Sequence, residues 1–194
     1  MTRTRKAFTL VELLIAVTIM GILASVVISA ATSDGTQSLE ATARVLGTDL
    51  QLARSLAIQH DTEWTVEFDT VSHQYELVHT GSGTPPAPVN PLAGAGEAAG
   101  RYVVVLQRLG TTTVGDNGVR LSGAALKTSR TRVTDVTFGP LGGTGPARNE
   151  ETVVWLTDSN GISTRYIRLT ISWVTGQVWI DPPGMFKSAD QIFE

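Results

Sequence analysis

Residues 3–12 read Arg3-Thr4-Arg5-Lys6-Ala7-Phe8-Thr9-Leu10-Val11-Glu12, and from Phe8 to Ser33 Glu12 is the only charged residue. A helix of about 20 apolar residues covers the hydrocarbon core of a bilayer, so this run is long enough to cross one. The cations before it, Arg3, Arg5 and Lys6, favour the cytoplasmic side and place everything after Asp34 on the other face. An ordinary secretory signal has the same order of basic residues and apolar run, and Ala24-Ser25 and Ala30-Ala31 offer it small-residue cleavage sites. Glu12 argues against that alternative. A carboxylate inside an apolar helix costs about 3 kcal/mol and marks a function with a partner nearby, for which a signal peptide has no use.

Beyond the apolar run, helix-compatible sequence continues from Ser38 to Gln59. Leu39, Ala43, Leu46, Leu50, Ala53 and Ala57 step by four, three, four, three and four, which draws one apolar stripe along a helix. Glu40 and Arg44 form a favourable i to i+4 pair on the wetter side. The two segments together predict a long N-terminal helix, apolar all round in its first half and amphipathic in its second. Thr32-Ser33-Asp34-Gly35 is a place for a kink or local break, and Gly21 is another weak point.

The rest of the chain reads as strands. Trp64, Val66 and Phe68 alternate with Thr65 and Glu67, Asp69 to His73 connects, and Tyr75 with Leu77 resumes the alternation, as a hairpin does. Further strand-like runs are Tyr102 to Leu109, Val133 to Phe138, Thr152 to Leu156, Thr164 to Val174 and Gln177 to Ile180. In the longest, Ile167, Leu169, Ile171 and Trp173 share one face and Arg168, Thr170 and Ser172 the other. Asp158-Ser159-Asn160-Gly161 and Thr175-Gly176 supply turns. The shift to Gly, Pro and Ala between residues 81 and 100 marks a flexible surface insertion. A long helix followed only by strands gives an α+β fold, with the helix packed on antiparallel β-sheet.

With 194 residues, 42% of them hydrophobic, the chain is long enough for one substantial core. A net charge of only -3 gives no support to a nucleic-acid partner. The absence of cysteine removes disulfides, thiolate metal sites and a cysteine nucleophile. Gly94-Ala95-Gly96-Glu97-Ala98-Ala99-Gly100 imitates a dinucleotide fingerprint, but its last spacing is wrong and a strand follows where a helix must. Asp158-Ser159-Asn160-Gly161 lacks the later acidic ligands of a calcium loop. His60, His73 and His79 have no metal-ligand spacing and read as surface or strand residues. Trp64, Trp155 and Trp173 fall in apolar strand patterns and read as core, whereas Trp179 falls out of phase with Val178 and Ile180 and reads as exposed. No catalytic residue, cofactor or metal follows from these patterns.

The stretch Lys6-Ala7-Phe8-Thr9-Leu10-Val11-Glu12 resembles the processing site of type IV prepilins and type II secretion pseudopilins. The resemblance implies that a prepilin peptidase cuts between Ala7 and Phe8, that Phe8 is N-methylated, and that Glu12, fifth from Phe8, sets register during assembly. Ala7 departs from the family's usual Gly; both are small. Cutting there would remove the three leader cations and leave a free amine on Phe8. Glu12 then has two possible counter-charges, its own Phe8 amine about one turn away or that of a neighbouring subunit.

In the domain, Leu52 to Ile58 leading into Trp64 to Phe68, then Val136 to Gly142, and Ile167 to Ile180 are similar to the H-type (GspH/FimT-like) minor pseudopilins. This implies a leader over 1–7, a transmembrane and filament-core helix over 8–33, an amphipathic helix over 34–60, and a β-rich periplasmic domain over 61–194 with its insertion at 81–100. The implied role is a non-catalytic minor pseudopilin of a type II secretion pseudopilus. It crosses the bacterial inner membrane once, with its N-terminus cytoplasmic. Its partners would be other pseudopilins, the peptidase, the inner-membrane secretion platform, and membrane lipid before assembly. A minor type IV pilin in pilus assembly, adhesion or DNA uptake is the alternative, and an enzyme domain on a signal anchor a further one. The lone Lys187 near an acidic end argues against DNA capture.

Overall fold

In the computed structural model, which describes residues 9–31, 34–93, 100–109, 118–146, 148–159 and 164–185, two helices come first: α1, Leu10–Ala31, and α2, Asp34–His60. The long helix expected from the pattern is described as these two segments; Thr32 and Ser33, where a kink or local break is expected, lie outside the described residues. The chain forms two compact units, Met1–Asp34 and Gly35–Glu194. In the first, the large apolar side chains of α1 from Leu10 to Ile22 are 51–81% exposed. Among the described residues no helix is long and apolar enough to cross a membrane. The spanning segment expected over 8–33 extends beyond the described side chains of α1 at both ends.

In the second unit α2 buries the predicted stripe completely: Leu39, Ala43, Leu46, Leu50, Ala53 and Ala57. The helix stops where Asp61 takes a left-handed conformation, φ 49°, which Asp tolerates better than most residues. Thr62 N–H then donates to Ala57 O at 3.1 Å and Asp61 N–H to Ile58 O at 3.4 Å, satisfying carbonyls the last turn leaves free.

The strands follow as β1 Trp64–Asp69, β2 Gln74–His79, β3 Tyr102–Val105, β4 Val119–Leu126, β5 Arg132–Val133, β6 Asp135–Phe138, β7 Thr152–Ser159, β8 Thr164–Ile171, β9 Val178–Ile180 and β10 Gly184–Met185. A four-stranded sheet has the order β3-β2-β1-β6, and a six-stranded sheet runs β10-β8-β7-β4-β5 with β9 also on β8. Every described pairing is antiparallel. The stripe of α2 packs in one core with Trp64, Val66 and Leu77 of the first sheet and Leu156, Leu169 and Ile171 of the second.

Several expected runs are drawn differently by the packing. Tyr102 to Leu109 is a strand only to Val105, then a single 3-10 turn over Leu106–Arg108. Val133 to Phe138 is split between the sheets: β5 pairs with β4, β6 pairs with β1, and Thr134 O between them accepts from Phe68 N–H at 2.7 Å. The strand from Thr152 continues past Leu156, so Asp158 and Ser159 pair with Arg165 and Thr164 rather than opening a turn; Asn160 and Gly161 lie outside the described residues. β4, which is not among the expected runs, alternates only from Val119 to Ser122, and its second half is held by β5 and β7. Trp173 is not core. β8 ends at Ile171, Gly176 N–H closes a turn on Ser172 O at 2.8 Å, and Trp173 is 39% exposed on that turn. Trp64 and Trp155 are buried, and Trp179 is 44% exposed.

Candidate functional site

The residues assigned to processing, Ala7 and Phe8, lie outside the described residues; Glu12 sits in the first turn of α1. There it forms a reciprocal cap with Thr9. Thr9 Oγ1 accepts from the Glu12 N–H at 3.2 Å, and Glu12 Oε2 accepts from the Thr9 N–H at 3.2 Å and from the Thr9 hydroxyl at 3.1 Å. Two backbone donors that a helix start leaves unpaired are satisfied this way, and a negative charge is placed where the helix dipole favours it. Thr9 and Glu12 have the Thr-x-x-Glu spacing of a capping box, a signal present in the sequence that the apolar run masks. The consequence for chemistry is orientation: the carboxylate is folded back toward the N-terminal end of α1 and stays exposed to a partner.

The domain interior holds a second carboxylate that pattern reading missed. Asp49 is 6% exposed, and its two oxygens accept from the phenol groups of Tyr75 at 2.5 Å and Tyr102 at 2.8 Å. The three residues tie α2 to β2 and β3 across the core. Burial pushes the Asp49 carboxyl above its ordinary value, against the two tyrosine hydrogen bonds, which lower it. Burial and the adjacent Asp49 push both tyrosine hydroxyls upward. Asp49 stands three residues after Leu46 and four before Ala53, so a charge within the apolar stripe was the available signal. Buried and shared between α2, β2 and β3, the cluster acts as a structural pin.

The histidines are placed as local structure. His79 Nε2 shares a hydrogen bond with Thr62 Oγ1 at 3.0 Å, with its ring centroid 5.3 Å from that of Trp64. His73 Nδ1 meets Leu121 O at 3.2 Å. Among the described residues no group of three His, Asp or Glu could hold a metal. Residues 94–99 of the glycine-rich stretch, and Lys187, lie outside the described residues. On the surface, exposed Leu141, Trp173 and Val174 line one groove, and Arg54 Nε near the end of α2 donates to the neighbouring Gly142 O at 3.3 Å.

Two family models match the chain: the prokaryotic N-terminal methylation motif over residues 2–28 and the type II transport protein GspH over residues 42–176. Among solved structures, the chain is similar to the type IV minor pilin FimU of Pseudomonas aeruginosa strain PAO1. In one crystal form the identity is 19%, with 79% of this chain and 96% of that chain covered and a TM-score of 0.47. In a second form the identity is 20%, with 78% and 99% covered and a TM-score of 0.45. No curated protein gives a significant match.

Proposed function

The chain belongs to the type II transport protein GspH family, and from that membership we propose that it is a minor pseudopilin, a structural subunit of the periplasmic pseudopilus that drives protein export across the outer membrane. It is made as a prepilin and held in the inner membrane by residues 8–33, with its N-terminus in the cytoplasm and the β-rich domain in the periplasm. A prepilin peptidase cuts between Ala7 and Phe8, removing Arg3, Arg5 and Lys6, and the new Phe8 amine is methylated. The three cations that hold the leader on the cytoplasmic face are then gone, which eases withdrawal of the helix from the membrane.

The observation that carries this reading is α1, whose large apolar side chains are exposed from Leu10 to Ile22 and whose one charge, Glu12, is held at its first turn. Lipid covers such a surface before assembly and the helices of other pseudopilins cover it afterwards. In a bundle of helices an unpaired charge is costly, and the methylated Phe8 amine of an adjoining subunit supplies the opposite sign. The secretion platform in the inner membrane is the remaining partner. The role is structural, with no cofactor and no reaction assigned to the chain.

Mass spectrometry of the protein made together with its prepilin peptidase tests the processing step. The expected mature chain starts at Phe8 and carries one added methyl group. Cleavage after Ala24 or Ala31 would restore an ordinary signal peptide and remove the filament reading.

A further inference from the structure

The first sheet ends on one side at β3, and the edge is made of Tyr102-Val103-Val104-Val105, with Leu106 opening the 3-10 turn after it. That run has no charge, glycine or proline and three β-branched residues, a composition that pairs readily with any free strand. Leu106 N–H donates to His73 O at 3.0 Å, on the β2 side. Alternation then turns the main-chain groups of Val103 and Val105 outward, toward the edge.

The insertion meets that edge at Asn90. The Asn90 side-chain amide donates to Val103 O at 2.7 Å, while Asn90 Oδ1 accepts from Leu92 N–H at 2.9 Å, a local turn that fixes the amide's direction. Pro85, Pro86, Pro88 and Pro91 surround it, and proline has no N–H to offer a neighbouring strand. Pro85, Ala87 and Pro88 also line a groove with Trp64 and His79, which keeps the segment alongside the sheet.

We propose that residues 85–92 are an edge guard: Asn90 takes the place on Val103 that a strand of a second copy would occupy, and the prolines keep the guard from serving as a strand itself. The occupant excluded is β3 of another copy, because two antiparallel edges of the same uncharged sequence complement each other about a two-fold axis. The need for a guard arises where copies are concentrated in one membrane, and in that respect alone the inference rests on the proposed function. The clasp is tested on the isolated protein, without secretion, so its failure and the failure of the filament reading are distinguishable.

The test uses the full chain in detergent, comparing the native sequence with Asn90→Ala. Mass is read by light scattering over a range of concentrations, and amide exchange is read at Val103 and Val105, with Val66 in the middle of the same sheet as reference. The expected result is concentration-dependent association of Asn90→Ala beyond that of the native chain. Exchange at Val103 and Val105 should slow about tenfold or more in the associated form, as new strand pairing requires, with Val66 unchanged. Adding Val103→Lys should abolish the association, since a lysine on an edge opposes pairing. Unchanged association, association without slower exchange at Val103 and Val105, loss of protection at Val66, or association that Val103→Lys leaves intact would each overturn the proposal.

Discussion

Replacing Asp49 with alanine removes the acceptor shared by two phenols that are themselves 1% and 2% exposed, Tyr75 and Tyr102. Each buried hydroxyl left without a partner costs about 1–3 kcal/mol. Removing a buried carboxylate recovers part of its own desolvation cost, so a net loss of about 2–4 kcal/mol near neutral pH is expected. The pH dependence has a definite sign. Asp49 holds its proton more tightly in the folded chain than its ordinary value of 3.8 allows. Its contribution is therefore full below about pH 4 and falls as pH rises through the folded-state value. The deficit of Asp49→Ala against the native chain should be larger at pH 4 than at pH 8. Urea unfolding of the full chain in mild detergent, followed by tryptophan fluorescence at several pH values, measures both quantities. A deficit below about 1 kcal/mol, or one that grows with pH, would refute the argument.

Gly176→Ala should destabilise the domain by about 1–3 kcal/mol, because Gly176 has φ 66° and an added Cβ would lie 1.9 Å from Gly142 O; an unchanged thermal midpoint would contradict this. Deleting residues 1–34 should leave a soluble domain that unfolds cooperatively by circular dichroism, since the buried stripe of α2 and both sheets lie in the unit Gly35–Glu194. A truncated chain without strand and helix signals would show that this unit depends on α1.

Much of the fold is legible in the sequence because strong periodicity survives packing. The stripe from Leu39 to Ala57 is buried throughout, and the hairpin of Trp64–Asp69 and Gln74–His79 pairs in the register its alternation implies, Val66 opposite Leu77. β4 was not legible: Gly123, Ala124 and Ala125 have low strand preference, and a register shift between Leu121 and Gly123 breaks the alternation. Its strand conformation comes from β5 and β7 on either side. Trp173 was misread because alternation was followed past Ile171 into a turn. The division at Thr134 depends on which sheet each neighbour joins, a long-range fact that local pattern does not carry. At the candidate site, Glu12 stands out in the sequence by its charge alone. Its cap with Thr9 and the Asp49 pin required attention to polar residues in apolar surroundings, which a count of hydrophobic positions discards.

We propose that the charge of Glu12, and not merely its hydrogen bonds, serves assembly. Glu12→Gln separates the two, because glutamine also completes a capping box with Thr9 while carrying no charge. On the proposed pairing the substitution would leave the Phe8 amine of an adjoining subunit without its partner, a loss of about 3–5 kcal/mol in a desolvated bundle. Crosslinking of membrane fractions, with secretion assayed in the same strains, is the measurement. Glu12→Gln is expected to be cleaved and retained in the membrane but absent from crosslinked filaments, with secretion impaired. Normal crosslinking and normal secretion by Glu12→Gln would contradict it, leaving Glu12 as a helix cap and α1 as an anchor.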